Sequence, residues 1–574
     1  MKKSILNILF IFVLLTNVFP QTCLPDGITF STQTQIDNFQ TNYPNCTTVL
    51  GKVSVKGSSI NSLQGLSQIT RIMDYLSITS PNNLVNLEGL NNLSQVDNGV
   101  YINHNYQLTS LSGLNGLDSI RNFLRLENND KLENLTGLNS LKYIADELYV
   151  KGHSKLKNFT GLESLTYVGD DFSVMNNSSL ENANGLNNLE KIEGQLSFYQ
   201  NENLRNISAL QNLDSIGQNL DVSSCPLFSG FNGLSNLVYV QGNLIVHESD
   251  SIVNMSGLDG LSYTKGLIVY DNTSLLNLDG LSSLVTINGN IHLSNNNSLQ
   301  QVNALHSVTG SVGIDGGTGI LIGGNPVLVD LIGLNNISIV NGSIRISGNN
   351  GFSTLTGFDG LTKTTGELVI YLNTNLENIE TFYNLDSIGS HFEIKSNPKL
   401  IGLTSFDNTT SINGDLIIEN NPELRSLSGI HNINYEGIDN LSIRDNKKLT
   451  HCHVKSVCDY IADPDGYTYI TNNWAGCYFL NEVEDSCMIV SLPDYSNPKI
   501  ELTIYPNPTS DKLLFKKKDG IIIREFRIYN QFGQINLHGE VKSNEIDISS
   551  LKQGVYIIEI VTNKSKVRKK LMIK

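Results

Sequence analysis

With 574 residues, 16 % of them charged, 39 % apolar and 48 of them glycine, the chain is long enough for several domains and too apolar to be disordered. Its net charge of −16 is uneven: from residue 501 onward 14 Lys and Arg stand against 8 Asp and Glu, a local +6, which leaves −22 for the rest. A body that acidic argues against nucleic acid as its partner.

In chain order, residues 1–21 begin with Lys2 and Lys3, continue through an apolar run at 5–15 and end on a polar boundary, the layout of a secretory signal peptide. The run falls short of the roughly 20 apolar residues that span a bilayer, and no later segment reaches that length, so no transmembrane span is expected. Export places the seven cysteines in an oxidising compartment. Residues 22–50 read as an N-terminal cap with a Cys23 to Cys46 bridge. Within it, Thr32 and Gln35 make a capping box, and Ile36, Phe39 and Tyr43 at helical spacing predict a short amphipathic helix over the first coil.

From 51 to 450 a repeat of 24 residues dominates. Gly137-Leu138 recurs as Gly161-Leu162, and the same glycine returns at Gly65, Gly89, Gly113, Gly185, Gly233, Gly257, Gly280, Gly333, Gly357 and Gly429, with Ala209 and Ala304 in two of the gaps. Each unit carries an apolar-x-apolar triplet; Val53-Ser54-Val55 is the first of 17 and Leu441-Ser442-Ile443 the last. Period-two alternation over so few residues means a short strand with both outer residues facing inward. One such strand cannot bury its face alone, so the units must stack as a solenoid with one long parallel sheet, roughly 80 Å at ~4.8 Å per strand. Three residues past the triplet, 12 units carry Asn, from Asn105 and Asn129 to Asn421 and Asn446. A stacked amide there can satisfy backbone groups that the turning chain leaves pointing inward.

This pattern resembles the leucine-rich-repeat superfamily, and more closely the receptor L-domain repeats of bacterial surface proteins. The resemblance implies a mainly β, right-handed solenoid of about 17 coils. It also implies that Cys225, which stands at the ladder position of its unit, is a free, buried substitute for Asn. Two spacings depart from the common consensus: Ile144 precedes Leu148 by four residues, and Leu132 follows Asn129 by three.

One repeat is stretched to 29 residues by the glycine-rich segment 306–325, expected as an insertion loop bulging from the solenoid. It lacks the helix start that a phosphate cradle needs. Residues 451–487 form a C-terminal cap in which Cys452, Cys458, Cys477 and Cys487 allow three pairings. His451-Cys452-His453 has the look of metal ligands, but a disulfide cap suits the compartment better, and Asp463-Pro464-Asp465-Gly466 reads as a turn. Residues 488–500 are a linker.

No His-Glu-x-x-His, Gly-x-Ser-x-Gly or Walker pattern occurs, and no cofactor or metal is implied. The expected working surface is the exposed side of the sheet, where the triplets' middle residues and their outward neighbours include Tyr75, Tyr101, Phe123, Tyr149, Met175 and Tyr199, then Ile245, Ile268 and Tyr270. Aromatic groups on a wide, pre-formed face suit a glycan or protein ligand. The plainer reading is that such residues simply favour exposed strand positions.

After residue 501 the register stops. Alternating runs at 502–505, 512–515, 522–529, 546–548, 555–561 and 567–573 predict a small Ig-like β-sandwich. Tyr505-Pro506-Asn507-Pro508-Thr509, then Ile528-Tyr529-Asn530 with Gly533, then Ile546-Asp547-Ile548-Ser549 with Leu551, Gly554 and Tyr556, and a basic end with Lys569, Lys570 and Lys574, resemble the type A sorting domain of the type IX secretion system. That resemblance implies the outer-membrane secretion machinery of a Gram-negative cell as a partner, surface attachment or release as the outcome, and removal of the tail. The functional expectation is an exported, non-enzymatic recognition or adhesion protein. The alternatives are a targeting module serving a secreted hydrolase and a structural spacer.

Overall fold

The computed structural model describes residues 21–80, 83–490, 502–518, 520–530, 534–541, 543–563 and 566–574. Residues 1–20 of the expected leader, residues 491–500 of the expected linker and Gly533 of the sorting motif lie outside them. The chain divides into two units, Met1–Ser486 and Cys487–Lys574.

All 17 triplets form strands of one parallel face, paired residue for residue; Leu124–Glu127 lies between Val100–Asn103 and Leu148–Lys151. The caps add a strand at each end. Ile28–Phe30 pairs with Val53–Val55, and Thr468–Thr471 pairs with Ile438–Arg444, so 19 strands line this face. A second row of two-residue strands, not expected from the sequence, runs along the adjoining side: Tyr143–Ile144 pairs with Ser119–Ile120 and Tyr167–Val168. It contains the isoleucine four residues ahead of the triplet, and that extra residue turns the corner between the two rows.

The core is uniform along the axis. In one coil Leu132, Leu135, Leu138, Leu141, Ile144, Leu148 and Val150 are all fully buried. Gly137 sits at φ 119°, and a Cβ there would lie 2.2 Å from the backbone of Leu111 in the preceding coil, which is why glycine recurs at this position in most units.

All 12 ladder asparagines are fully buried. Asn373 shows the pattern: its Nδ2 donates to Ile346 O at 3.1 Å and to Asn397 Oδ1 at 3.3 Å, while its Oδ1 accepts from the backbone N–H of Asn349 at 3.0 Å. Where Asn is missing, other groups serve. Cys225 is free and fully buried, its Sγ 3.5 Å from Phe198 O, and burial pushes its thiol up to about 12. His153, which the sequence reading left unassigned, is fully buried at the same position. Its Nε2–H donates to Leu126 O at 3.0 Å and its Nδ1 accepts from Asn129 N–H at 3.2 Å, so the neutral ring copies an amide.

The glycine-rich segment is a strand rather than a loop. Gly310–Gly323 pairs in parallel with Ile337–Ser347, and register shifts leave 314–317 unpaired and exposed as a protrusion. Gly313, at φ 91°, makes the turn into it with Asn341 O where a Cβ would be, at 2.0 Å.

At the N-terminal cap, Thr32 and Gln35 form the expected capping box on helix Gln33–Asp37, Ile36 and Phe39 are buried, and Tyr43 leans on Phe39 with 5.4 Å between ring centres. Cys23 is bonded to Cys46 and Cys452 to Cys477, and Cys458 and Cys487 are also disulfide cysteines.

The tail holds a three-stranded sheet (Leu502–Tyr505, Lys512–Lys517, Glu545–Asp547) and a four-stranded one (Ile535–Glu540, Ile523–Tyr529, Gly554–Thr562, Lys566–Ile573), both antiparallel. Leu513, Ile528, Ile548, Ile558, Ile560 and Leu571 are fully buried among them. Strand Ile535–Glu540 has no counterpart among the expected runs, because its alternation stops after Ile535-Asn536-Leu537 and none of its residues is buried. The peptides before Pro506 and Pro508 are both cis. Asn507 Nδ2 donates to Lys570 O at 2.7 Å and its Oδ1 accepts from Met572 N–H at 2.8 Å, stitching the motif to the last strand. Lys574 N–H donates to Thr509 O at 2.8 Å, and the Tyr556 hydroxyl to Lys552 O at 2.9 Å.

Burial lowers the pKa of His153 below its ordinary 6.5. The unfolded chain therefore binds more protons, and the ring's contribution is present above about pH 6.5 and is lost as pH falls below it. His153→Asn should flatten the decline in melting temperature between about pH 7 and 5. A variant that keeps the wild-type slope in thermal melts would contradict this assignment.

Candidate functional site

Because the coils stack in register, like positions of successive triplets form rows across the sheet. The row of middle residues places Tyr101, Arg125 and Tyr149 side by side. The row just ahead of the triplets runs through Tyr75, Gly99, Phe123 and Glu147, whose carbonyls accept in turn from Val53, Leu76, Val100 and Leu124. The ring of Phe123 fills the space that a side chain at Gly99 would need; a Cβ there would lie 2.4 Å from Phe123 Cζ. The Arg125 guanidinium lies 5.1 Å from the Phe123 ring centre and 6.0 Å from that of Tyr149, and pairs with Glu147 at 2.6 Å. Two aromatic rings and a carboxylate thus fix one cation. Burial, aided by Asp171 and Asp146, holds the Glu147 carboxyl above the usual range in spite of Arg125. Burial, then the charge of Glu127, raises the Tyr101 phenol. Its Oη accepts from Asn103 Nδ2, and the buried Oδ1 of Asn103 has no partner.

A second cluster follows. Ile245 and Ile268 are paired in register, and the Tyr270 ring is stacked between His247 at 4.5 Å and His292 at 5.5 Å, with interplanar angles of 8° and 11°. Burial lowers the pKa of His292, whose Nε2 lies 2.7 Å from Ser294 Oγ. Between the clusters the middle row runs Ser173, Ser197 and Asp221, a gap of about 20 Å at the usual strand spacing. Tyr199 stands apart, beside Met175. The expected residues are all half-buried and form two patches rather than one band.

Arg125, Glu147, Asn103, His247 and His292 were not anticipated, since only apolar and aromatic residues were sought; their shared register was the available signal. The second row of strands carries a further aromatic pair, Tyr143 and Tyr167, stacked at 4.9 Å and 4°. Rings stacked this way cover one another's faces and present edges and hydroxyls to solvent.

Two shallow grooves of about 340 and 350 Å³ lie beside protrusion 314–317 and share Thr365, whose hydroxyl donates to Asp315 Oδ1 at 2.9 Å. Small polar residues and glycines dominate their lining, with Lys363 in one and Glu367 in the other. Among the described residues no group of His, Cys, Asp or Glu is placed to hold a metal ion, and no helix is long and apolar enough to cross a membrane.

Arg125 is about half exposed, so Arg125→Ala should change unfolding stability by less than about 1 kcal/mol. A larger loss in denaturant titrations would make the cluster a stability element rather than a surface free to serve a ligand.

Residues 503–574 match the secretion system C-terminal sorting domain, and residues 45–136 and 336–434 match the receptor L domain. A stretch of 70 residues is 39 % identical to beta-agarase D of Zobellia galactanivorans, covering 12 % of this chain and 14 % of that protein, so the chain spans only a small part of that relative. Among solved structures, one from the crystal structure of the TLR13-ssRNA13 complex covers 78 % of this chain and 94 % of its own at 12 % identity, with a TM-score of 0.16, at which the likeness carries no argument. The chain is a receptor-L-domain-like solenoid with a type IX secretion sorting domain, exported to the cell surface or released.

Proposed function

We propose that the protein is a non-enzymatic recognition or adhesion protein that holds a ligand on the sheet face of its solenoid. The observation that carries this reading is the Phe123, Arg125, Tyr149 cluster, in which side chains that cost entropy to order are already fixed by one another. Aromatic residues and Arg are the groups that anchor protein interfaces, and the stacked rings elsewhere on the sheet offer edges rather than flat platforms. A protein partner therefore suits this face better than a glycan. The sorting domain directs export and brings the secretion machinery as a first partner, with its own removal as the expected last step.

A triple Tyr101→Ala, Phe123→Ala, Tyr149→Ala variant should melt cooperatively, because these side chains are only half-buried, and lose at least tenfold in binding to intact cells. Full binding by the folded variant would rule this face out. Turnover of any substrate in a hydrolase panel would instead favour the enzyme-associated alternative, and absence of binding to both cells and a glycan array would favour a spacer. Deletion from residue 501 onward should leave a folded solenoid in the periplasm, as read by fractionation; normal surface display of that truncation would contradict the assignment of the tail.

A further inference from the structure

The C-terminal cap carries aromatic residues of a different kind from those on the sheet. Within 13 residues Tyr467, Tyr469, Trp474, Tyr478 and Phe479 are exposed by 51 %, 57 %, 57 %, 41 % and 52 %. Tyr467 and Tyr469 meet edge to face at 5.6 Å and 75°, as do Tyr478 and Phe479 at 4.5 Å and 89°. An edge-to-face pair leaves ring faces uncovered, where the stacked pairs of the sheet hide theirs.

The backbone that carries these rings is held in place. Tyr469 sits on the last strand of the sheet, Thr468–Thr471, opposite Ser442. Trp474 follows Asn473, a buried final rung of the ladder that donates to Ile443 O at 2.8 Å, and a turn joins it to disulfide-bonded Cys477. The backbone N–H groups of Gly476 and Tyr478 both donate to Glu482 Oε2, at 2.8 and 3.0 Å. A rigid display of apolar faces lowers the cost of ordering on binding.

We propose that this cap is a carbohydrate-binding surface, on which Trp474, Tyr469 and Phe479 receive the apolar C–H faces of pyranose rings in a neutral polysaccharide. Three observations favour this occupant. The five side chains together expose roughly 500 Å², less than the ~800 Å² per partner of a stable protein interface but ample for a few sugar rings. Strand addition by a second copy is impeded, because Thr471 already bridges antiparallel to Phe479 and Asn472 N–H donates to Tyr478 O. The body's net charge of −22, the chain's −16 less the tail's +6, disfavours anionic polymers. Asn472, with Asp445 and Lys447 of the preceding coil, supplies a polar rim: its Nδ2 donates to Asp445 Oδ1 and its backbone carbonyl accepts from Lys447 Nζ.

Trp474 is the sole tryptophan, so its fluorescence reports this site alone. Titration of the full-length protein with soluble oligosaccharides of agarose, cellulose and chitin should shift the Trp474 emission to the blue with at least one of them, and alginate should leave it unchanged. Trp474→Ala should weaken retention on the matching insoluble polysaccharide at least tenfold, and Trp474→Phe should restore part of it. The Tyr101, Phe123, Tyr149 triple variant should keep the emission shift, so failure of the sheet face as a site and failure of this one are separable. No shift with any of the three neutral sugars would overturn the proposal, as would self-association abolished by Trp474→Ala, which would make the cap a protein interface.

Discussion

Everything in the body depends on how a coil disposes of its backbone polar groups where it leaves the strand. In every coil after the first, the residue ahead of the ladder position takes a left-handed turn, as at Asn128 (φ 51°) and Asn176 (φ 56°), and the carbonyls and N–H groups around it face the interior. An unpaired group there costs on the order of 1–3 kcal/mol, and a solenoid repeats the liability at every coil. Side-chain amides answer it collectively, since each one serves the coil before and the coil after. Neighbouring coils are thereby locked in register, and register is what turns scattered sequence positions into rows on the surface.

Most of this was legible in the sequence because it is periodic. The triplets, the glycine at positive φ and the ladder asparagine are each forced by a local constraint that recurs, so repetition exposes them. What was not legible lies where that constraint is met in another way. His153 does the work of an amide through its neutral ring, which composition alone does not reveal. The second row of strands is only two residues per coil, too short for alternation to register, although the four-residue spacing from Ile144 to Leu148 was its trace. The glycine-rich insertion looked like a loop because glycine weakens strand propensity, yet pairing to Ile337–Ser347 overrides it. Strand Ile535–Glu540 was missed for want of a buried residue, the signal on which strand assignment leans.

The surface follows a similar division. The aromatic positions were visible, but their partners were not: Arg125 gains meaning only when Phe123 folds over Gly99 and Tyr149 arrives from the next coil. The body builds flat stacks at Tyr143 with Tyr167 and around Tyr270, whereas the exposed rings of the C-terminal cap meet edge to face.

The ladder also bears on how the exported chain acquires its disulfides. Six of its seven cysteines are oxidised, and an odd thiol in that setting is a standing competitor in exchange. Cys225 escapes because the coils on either side seal it, and a thiol whose ionisation is pushed up to about 12 has almost no thiolate with which to attack. The protection exists only once those coils have closed, so stacking of the coils and shielding of the thiol are a single event.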